Sequence, residues 1–384
     1  MTSDPTSDPT SNPTTNHAAW AQAPFARLVV GAAPMTSPGP GQIVVRNHAV
    51  AINPVDRYKQ QLGNLMFGWI KFPFIFGYDL AGEVVAVGPD VTRFKVGDRV
   101  LGTATGMDKP RNRAAEGAFQ LFPVVRANMA AKIPDTLSFT AASVLPLALS
   151  TAASGLFAAD QLALSLPSAA PVDQGKTVLI WGGSTSVGCN AIQLAKAAGY
   201  RVVTTASPAN FALVRQLGAA EVFDHHSATV VQDVRRALAG AVVGGALAMG
   251  DGSVAACFAA LRQCKGQRKV AIATFPLAID SLPQRPGRGT ILTRVLPAMV
   301  MAGASMWMNS RRTGVAFSVI RGTALADTDL SRVIFADFLP DALQRGAFVP
   351  APEPLVVGHG LDCVQAAFDR HRQGISARKV VVTL

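Results

Sequence analysis

Thr177-Val178-Leu179-Ile180-Trp181-Gly182-Gly183-Ser184-Thr185-Ser186-Val187-Gly188 is an apolar run that breaks on two glycines and restarts with helical spacing. Beyond it Val187, Ala191, Leu194, Ala195 and Ala198 recur every three or four positions, and Gly199 stands where a helix needs a left-handed stop. The order is a buried strand, a glycine turn and a helix, which is how a dinucleotide-binding unit begins. A pyrophosphate in such a unit lies against backbone N–H groups at the positive end of the helix, where a bulky side chain would hold it off. Gly183 and Gly188 are expected to supply that clearance, with Ser184, Thr185, Ser186 and Val187 around the phosphates. The glycine spacing departs from G-x-G-x-x-G, so the flanking strand and helix carry the reading. The plain alternative is a glycine turn between any strand and helix.

The strand after the helix, Arg201 to Ser207, tests which dinucleotide is meant. A carboxylate about 20 residues past the glycine turn binds a ribose 2'-hydroxyl and repels a 2'-phosphate. Here the chain has Ser207-Pro208-Ala209-Asn210, with Arg215 in the following helix. Neutral donors beside a cation suit NADPH better than NADH, although Arg215 reads equally well as a solvated helix residue.

At 384 residues the chain can hold two ordinary domains, and 49% hydrophobic against 15% charged residues describes a soluble protein with a large core. The net charge of +11 comes from Lys and Arg scattered singly or in pairs such as Arg235-Arg236. No basic tract interleaved with aromatics appears, so nucleic acid is not expected as a partner. The four cysteines, Cys189, Cys257, Cys264 and Cys363, form no C-x-x-C pair and imply neither disulfides nor a zinc cluster. Reduced thiols fit a cytoplasmic protein. Residues 1–17 repeat Thr-Ser-Asp-Pro and read as a disordered tail without the marks of a secretory signal. Thr136 to Ala159 is uncharged over a membrane-spanning length, but Pro146 in its middle and its Ala, Ser and Thr content indicate buried helices. No membrane contact is expected.

From about Phe25 to Arg126 short strands alternate with glycine and proline, as in Gln42 to Val50 and Ala81 to Gly88. From about Ala141 Ala-rich helices alternate with strands at Val178 to Trp181, Arg201 to Thr205, Gly245 to Met249 and Lys269 to Ala273, which implies a doubly wound parallel sheet. In the helix Val254 to Arg262 the residues Val254, Cys257, Phe258 and Leu261 share a face, with Asp251 or Ser253 as the expected cap. After Arg321 a helix over Leu330 to Arg345, a strand at Leu355 to Val357, a helix over Cys363 to Arg372 and a strand Lys379 to Thr383 follow, and this tail is expected to return to the first domain.

Three ordered blocks now resemble one family. They are Ala51-Ile52-Asn53-Pro54-Val55-Asp56-Arg57-Tyr58; Phe76-Gly77-Tyr78-Asp79-Leu80-Ala81-Gly82-Glu83-Val84 with Phe94-Lys95-Val96-Gly97-Asp98-Arg99-Val100; and the glycine turn extended through Gly199. Together they are similar to the medium-chain dehydrogenase/reductase superfamily. The resemblance implies an α/β fold in which a Rossmann NADP-binding domain, residues 146–324, joins a β-rich GroES-like catalytic domain, residues 18–145 and 325–384. Zinc-dependent members carry G-H-E where this chain has Gly77-Tyr78-Asp79, and a four-cysteine lobe that is absent here. What remains is the metal-free branch, closest to quinone oxidoreductases and the trans-acting enoyl reductases of fungal secondary metabolism.

Enoyl reduction places negative charge on a carbonyl oxygen, which needs a donor. Tyr58, on the tyrosine of the N-x-x-D-x-Y pattern, is the first candidate and Lys59 its neighbour. Enoyl reductases of this branch often carry lysine at the position of Tyr58, so a packing role for Tyr58 stays open. Thr151 resembles a threonine that faces the nicotinamide in the enoyl reductases, and reads equally well as one more hydroxyl in an Ala/Ser helix. Asn53 and Asp56 are expected to order their loop beside the cofactor, and Ala273, Thr274, Ile375 and Ser376 to touch the nicotinamide; His225 stands where the family has a tyrosine near the adenosine, and also reads as a surface histidine. His48, His359 and His371 receive no role. The implied substrate is a small molecule or acyl thioester, carrier-bound in one version, and the protein a monomer or homodimer. Quinone reduction, or NADPH binding without catalysis, are the alternatives. Pocket shape is expected to come from loops 64–74 and 274–307.

Overall fold

The computed structural model describes residues 15–275, 279–283 and 285–384. One half is built on a parallel sheet whose strands run, edge to edge, Glu221–Asp224, Arg201–Ala206, Lys176–Trp181, Val242–Ala248, Lys269–Ile272 and Ala316–Val319. Val178, Leu179 and Ile180 are completely buried because helices cover both faces of the sheet. The chain winds outward from Lys176–Trp181 in one direction and then returns to start again on its other side. At that reversal the carboxyl ends of the strands part and leave a crevice.

The second sheet runs Glu353–His359, Arg378–Thr383, Gln42–Ala51, Asp79–Val87, Arg99–Thr103 and Ala130–Lys132, with Val124–Arg126 also on Gln42–Ala51. The C-terminal strand does return to the N-terminal part of the chain, pairing Val381 with Ala51. A small sheet of Leu28–Ala33, Asn16–Ala21 and Phe74–Ile75 lies beside it. Asn16 and His17, expected in the tail, instead begin a strand opposite Ala33 and Ala32. Residues 1–14 of that expected tail lie outside the described residues.

Between the sheets runs the uncharged stretch, as helices Phe139–Ala142 and Pro146–Phe157. Pro146 opens the second helix, where its missing N–H is harmless. Leu145, Leu149, Ala152 and Leu156 pack with Ala49, Ala81 and Leu101 of one sheet and Ile180 and Leu247 of the other. One core therefore spans both halves. A second apolar helix behaves differently. Ile291–Thr313 is also long and apolar enough to cross a membrane, yet only 6% of it is buried against 72% of Phe139–Phe157, and Val300, Met301 and Trp307 face solvent.

Two local expectations are revised. Helix Ser253–Leu261 starts behind Gly252, which adopts a left-handed φ of 73°, and neither Asp251 nor Ser253 caps it; the Ser253 hydroxyl donates to Gly250 O at 2.6 Å. The helix expected over Leu330 to Arg345 carries a wide π turn at Val333–Phe338.

Candidate active site

The crevice and the second sheet enclose a cleft of about 1680 Å³. At one end the turn after Lys176–Trp181 delivers Gly182, Ser184, Thr185, Ser186 and Val187 to its wall. Thr185 caps helix Ser186–Ala197: its oxygen accepts from Gly188 N at 3.0 Å, and its hydroxyl donates to Gly182 O at 2.8 Å. Helix geometry leaves the N–H groups of Ser186 and Val187 without intrahelical acceptors, at the cleft. Gly183 and Gly188 act differently from expectation. A Cβ on Gly183 would stand 2.2 Å from Thr204 Oγ1, and one on Gly188 2.3 Å from Gly182 O. Gly183 lets the turn seat on the neighbouring strand and Gly188 lets the helix start close against the turn's own backbone, and the Gly183 N–H donates to Thr205 O at 2.8 Å rather than to the cleft. A turn this tight, ending on two open N–H groups among small side chains, fits a dinucleotide pyrophosphate.

Farther along the same wall lie Ser207, His225 and, unforeseen from the sequence, His226, whose ring stands 3.9 Å from that of His225. Asn210 does not line the cleft; its amide donates to Ser376 Oγ at 3.1 Å and so links the nucleotide-binding half to the segment before the last strand. Arg215 is exposed, away from the lining, with its guanidinium over the Phe211 ring at 5.4 Å. Ala273, Thr274, Ile375 and Ser376 all line the cleft, as does Thr151. The Thr151 hydroxyl donates to Leu147 O at 2.7 Å, which leaves its oxygen able to accept but not to donate.

The opposite wall comes from helix Pro54–Leu62. Tyr58 lines the cleft, its ring 6.2 Å from Phe275 and 4.8 Å from the Arg57 guanidinium. Burial, reinforced by the Asp280 carboxylate, holds its phenol above the usual range, so it is a neutral donor. Lys59, one residue on, points the other way and is fully buried. Its ammonium donates to Gly63 O, Met66 O and Phe67 O at 3.0, 2.9 and 3.2 Å. The expectation that it acts on substrate is corrected: all three donors are spent on the turn after the helix.

Asn53 reaches the cleft, whereas Asp56 is wholly buried behind it. The Asn53 N–H donates to Asp56 Oδ2 at 2.8 Å, its amide donates to Asp79 Oδ2 at 2.9 Å, and its Oδ1 accepts from Lys379 at 2.6 Å. Burial and the nearby Asp79 charge raise Asp56 to about 8, so it carries its proton at neutral pH.

Besides His226, three cleft groups went unforeseen. His371 lines the cleft with no partner for Nδ1 among the described residues. Burial, with the charges of Arg57 and Lys379, depresses it to about 3, so it is neutral. Tyr78 and Asp108 line the cleft together, the phenol donating to Asp108 Oδ1 at 3.3 Å. Their only sequence signal was tyrosine in place of the histidine of G-H-E. Among the described residues, no three His, Cys, Asp or Glu side chains gather in a way that could hold a metal ion.

Residues 39–135 match the model of the alcohol dehydrogenase GroES-like domain, and residues 186–262 that of the zinc-binding dehydrogenase family. The chain is 48% identical to dehydrogenase pigH of Monascus ruber, over 96% of this chain and 99% of that one. It is 37% identical to trans-enoyl reductase himH of Aspergillus japonicus, over 96% and 97%. The fold superposes with a TM-score of 0.64 on a mycobacterial protein, Rv1454c, solved with NADPH, at 23% identity and over 96% and 100% of the two chains. Fold, paired domains and full-length relatives agree, and the chain belongs to the medium-chain dehydrogenase/reductase superfamily as an enoyl-reductase-like oxidoreductase.

Proposed function

We propose that this oxidoreductase uses NADPH, without a metal, to reduce the activated C=C bond of an enoyl thioester, as a cytoplasmic enzyme of secondary metabolism. The single observation behind this reading is the pairing across one cleft: a glycine turn and open helix N-terminus face a wall bearing the Tyr58 phenol and, among the described residues, no cluster of metal ligands. The relative named a trans-enoyl reductase supports the acceptor class. Ser207, where an acid would repel a 2'-phosphate, supports NADPH.

When bound, NADPH would supply hydride to the β-carbon of the unsaturated thioester. Ser184, Thr185, Ser186 and Val187 would hold its phosphates, Ser207 and His225 its adenosine ribose region, and Ala273, Thr274, Ile375 and Ser376 its nicotinamide. Thr151 can accept one hydrogen bond there. The Tyr58 phenol donates to the substrate carbonyl oxygen as charge develops on it, which in a water-poor cleft is worth roughly a hundredfold to a thousandfold in rate. Asn53 and the buried groups behind it fix the turn that presents Tyr58. A carrier-bound substrate, and a monomer or homodimer, belong to the same proposal.

The test is loss of NADPH absorbance with an enoyl thioester and, in parallel, a quinone, after exhaustive chelation. Saturable turnover of the thioester that survives chelation supports the reading. Turnover of the quinone alone, or turnover abolished by the chelator and restored by zinc, overturns it.

A further inference from the structure

The geometry points to Tyr78 and Asp108 as the pair that delivers a proton to the α-carbon of the substrate, a step that rests on the reductase reading above. Both line the cleft, on the same sheet wall as Asn53, and they hydrogen-bond to each other at 3.3 Å although 30 residues separate them. Tyr78 is 3% exposed although it lines the cleft, so it is shielded from bulk water. Asp108 leads outward. Its carboxyl is hydrogen-bonded to Thr323 and lies near Arg111 and Asp327, an ion pair whose Asp327 side chain is half exposed. Lys109, the next residue along, is exposed at the cleft. A chain of oxygens thus connects the interior of the cleft to solvent.

Reduction of the double bond adds two electrons and one hydrogen at the β-carbon, from a reduced nicotinamide, and leaves an enolate that needs one proton at its α-carbon. The Tyr78 O–H bond breaks as the new C–H bond forms. The phenolate then takes the Asp108 proton, and Asp108 regains one from water. Two adjacent anions would be left if Asp108 began ionised, so the protonated carboxyl is the active form. Burial raises Asp108 to about 6, opposed by its bonds to Thr323 and Tyr78 and by Arg111, while Asp327 pushes the same way as burial. Burial holds the Tyr78 phenol far above its usual range, so it stays protonated between turnovers. Activity should fall as pH rises through the Asp108 value.

The experiment compares wild type with Tyr78→Phe and Asp108→Asn, after circular dichroism and NADPH titration have shown that each folds and binds. In the apo protein, the infrared band of a protonated carboxyl should titrate near pH 6 and vanish in Asp108→Asn. In deuterated water, wild type should place deuterium on one face of the α-carbon only. Tyr78→Phe should lower kcat about a hundredfold and give both faces, because water then protonates the enolate. Asp108→Asn should lose the fall of kcat with pH. Single-face labelling and unchanged kcat in Tyr78→Phe, or an unaltered pH profile in Asp108→Asn, overturns this inference alone. A wild type that binds NADPH but reduces no enoyl thioester overturns the reductase reading, and this inference with it.

Discussion

The Lys379 ammonium stands 2.9 Å from the Asp79 carboxylate, both almost wholly buried, and the same carboxylate accepts from Leu147 N at 2.6 Å. One buried charge pair therefore joins the last strand, the second sheet and the helix that runs between the two halves. Breaking it leaves Asp79 without its counter-ion inside the core. Lys379→Met should cost about 3–5 kcal/mol of stability, read from urea denaturation midpoints. A loss below about 1 kcal/mol would show that the strand is held by its backbone ladder alone.

Adjacent residues on one helix should give opposite results. Tyr58→Phe should lower kcat roughly a hundredfold to a thousandfold with the NADPH dissociation constant unchanged. Lys59→Met, which removes the anchor of Gly63, Met66 and Phe67, should expose that turn to limited proteolysis while NADPH binding persists. Equal proteolysis of Lys59→Met and wild type would refute the anchoring role.

Asp56 sets a pH dependence of stability. Its native value of about 8 lies above the unfolded value of roughly 4, so between these the native state holds a proton that the unfolded state has released. Stability is greatest below the lower value and declines as pH climbs through the higher one, by at most about 1.4 kcal/mol per pH unit. Asp56→Asn keeps an acceptor for the Asn53 N–H and removes the titration. Its stability should match wild type near pH 4 and exceed it near pH 8 in parallel chemical denaturation. Identical pH profiles would exclude a protonated Asp56.

The glycine turn predicts a rescue. Gly183→Ala drives a methyl against Thr204 Oγ1 and should cost about 1–3 kcal/mol, weakening NADPH binding with it. Adding Thr204→Ala frees the space, at the expense of a 2.6 Å bond to Ile180 O, and should recover most of the NADPH affinity measured by titration. Additive losses in the double variant would mean that the backbone conformation, not the contact, demands glycine.

Ser207→Asp places a carboxylate where the 2'-phosphate would lie and should invert the preference toward NADH, measured as the ratio of the two dissociation constants. An unchanged ratio would move the phosphate site elsewhere, with exposed Arg215 the first place to look.

The Rossmann unit was legible because Val178 to Ile180, the glycines and the helical spacing after Ser186 are contiguous, and contiguous signals survive without tertiary information. The site wall was less so. Consecutive helical residues point about 100° apart, and nothing local told Tyr58, facing the cleft, from Lys59, facing the turn behind it. Pairs such as Tyr78 with Asp108, or Asp79 with Lys379, exist only after strands distant in sequence align. The reading of Gly183 failed for a related reason: glycine signals close approach, but not by what.

The second sheet is completed by Arg378–Thr383, which lies between Glu353–His359 and Gln42–Ala51. All strands of the nucleotide-binding sheet are contained within Lys176–Val319. During synthesis that sheet can close while the outer one still waits, its strand Gln42–Ala51 lacking a neighbour for more than 300 residues of elongation. A nascent chain stalled shortly before Arg378 should already grip a nucleotide, yet still offer an open strand edge to chaperones.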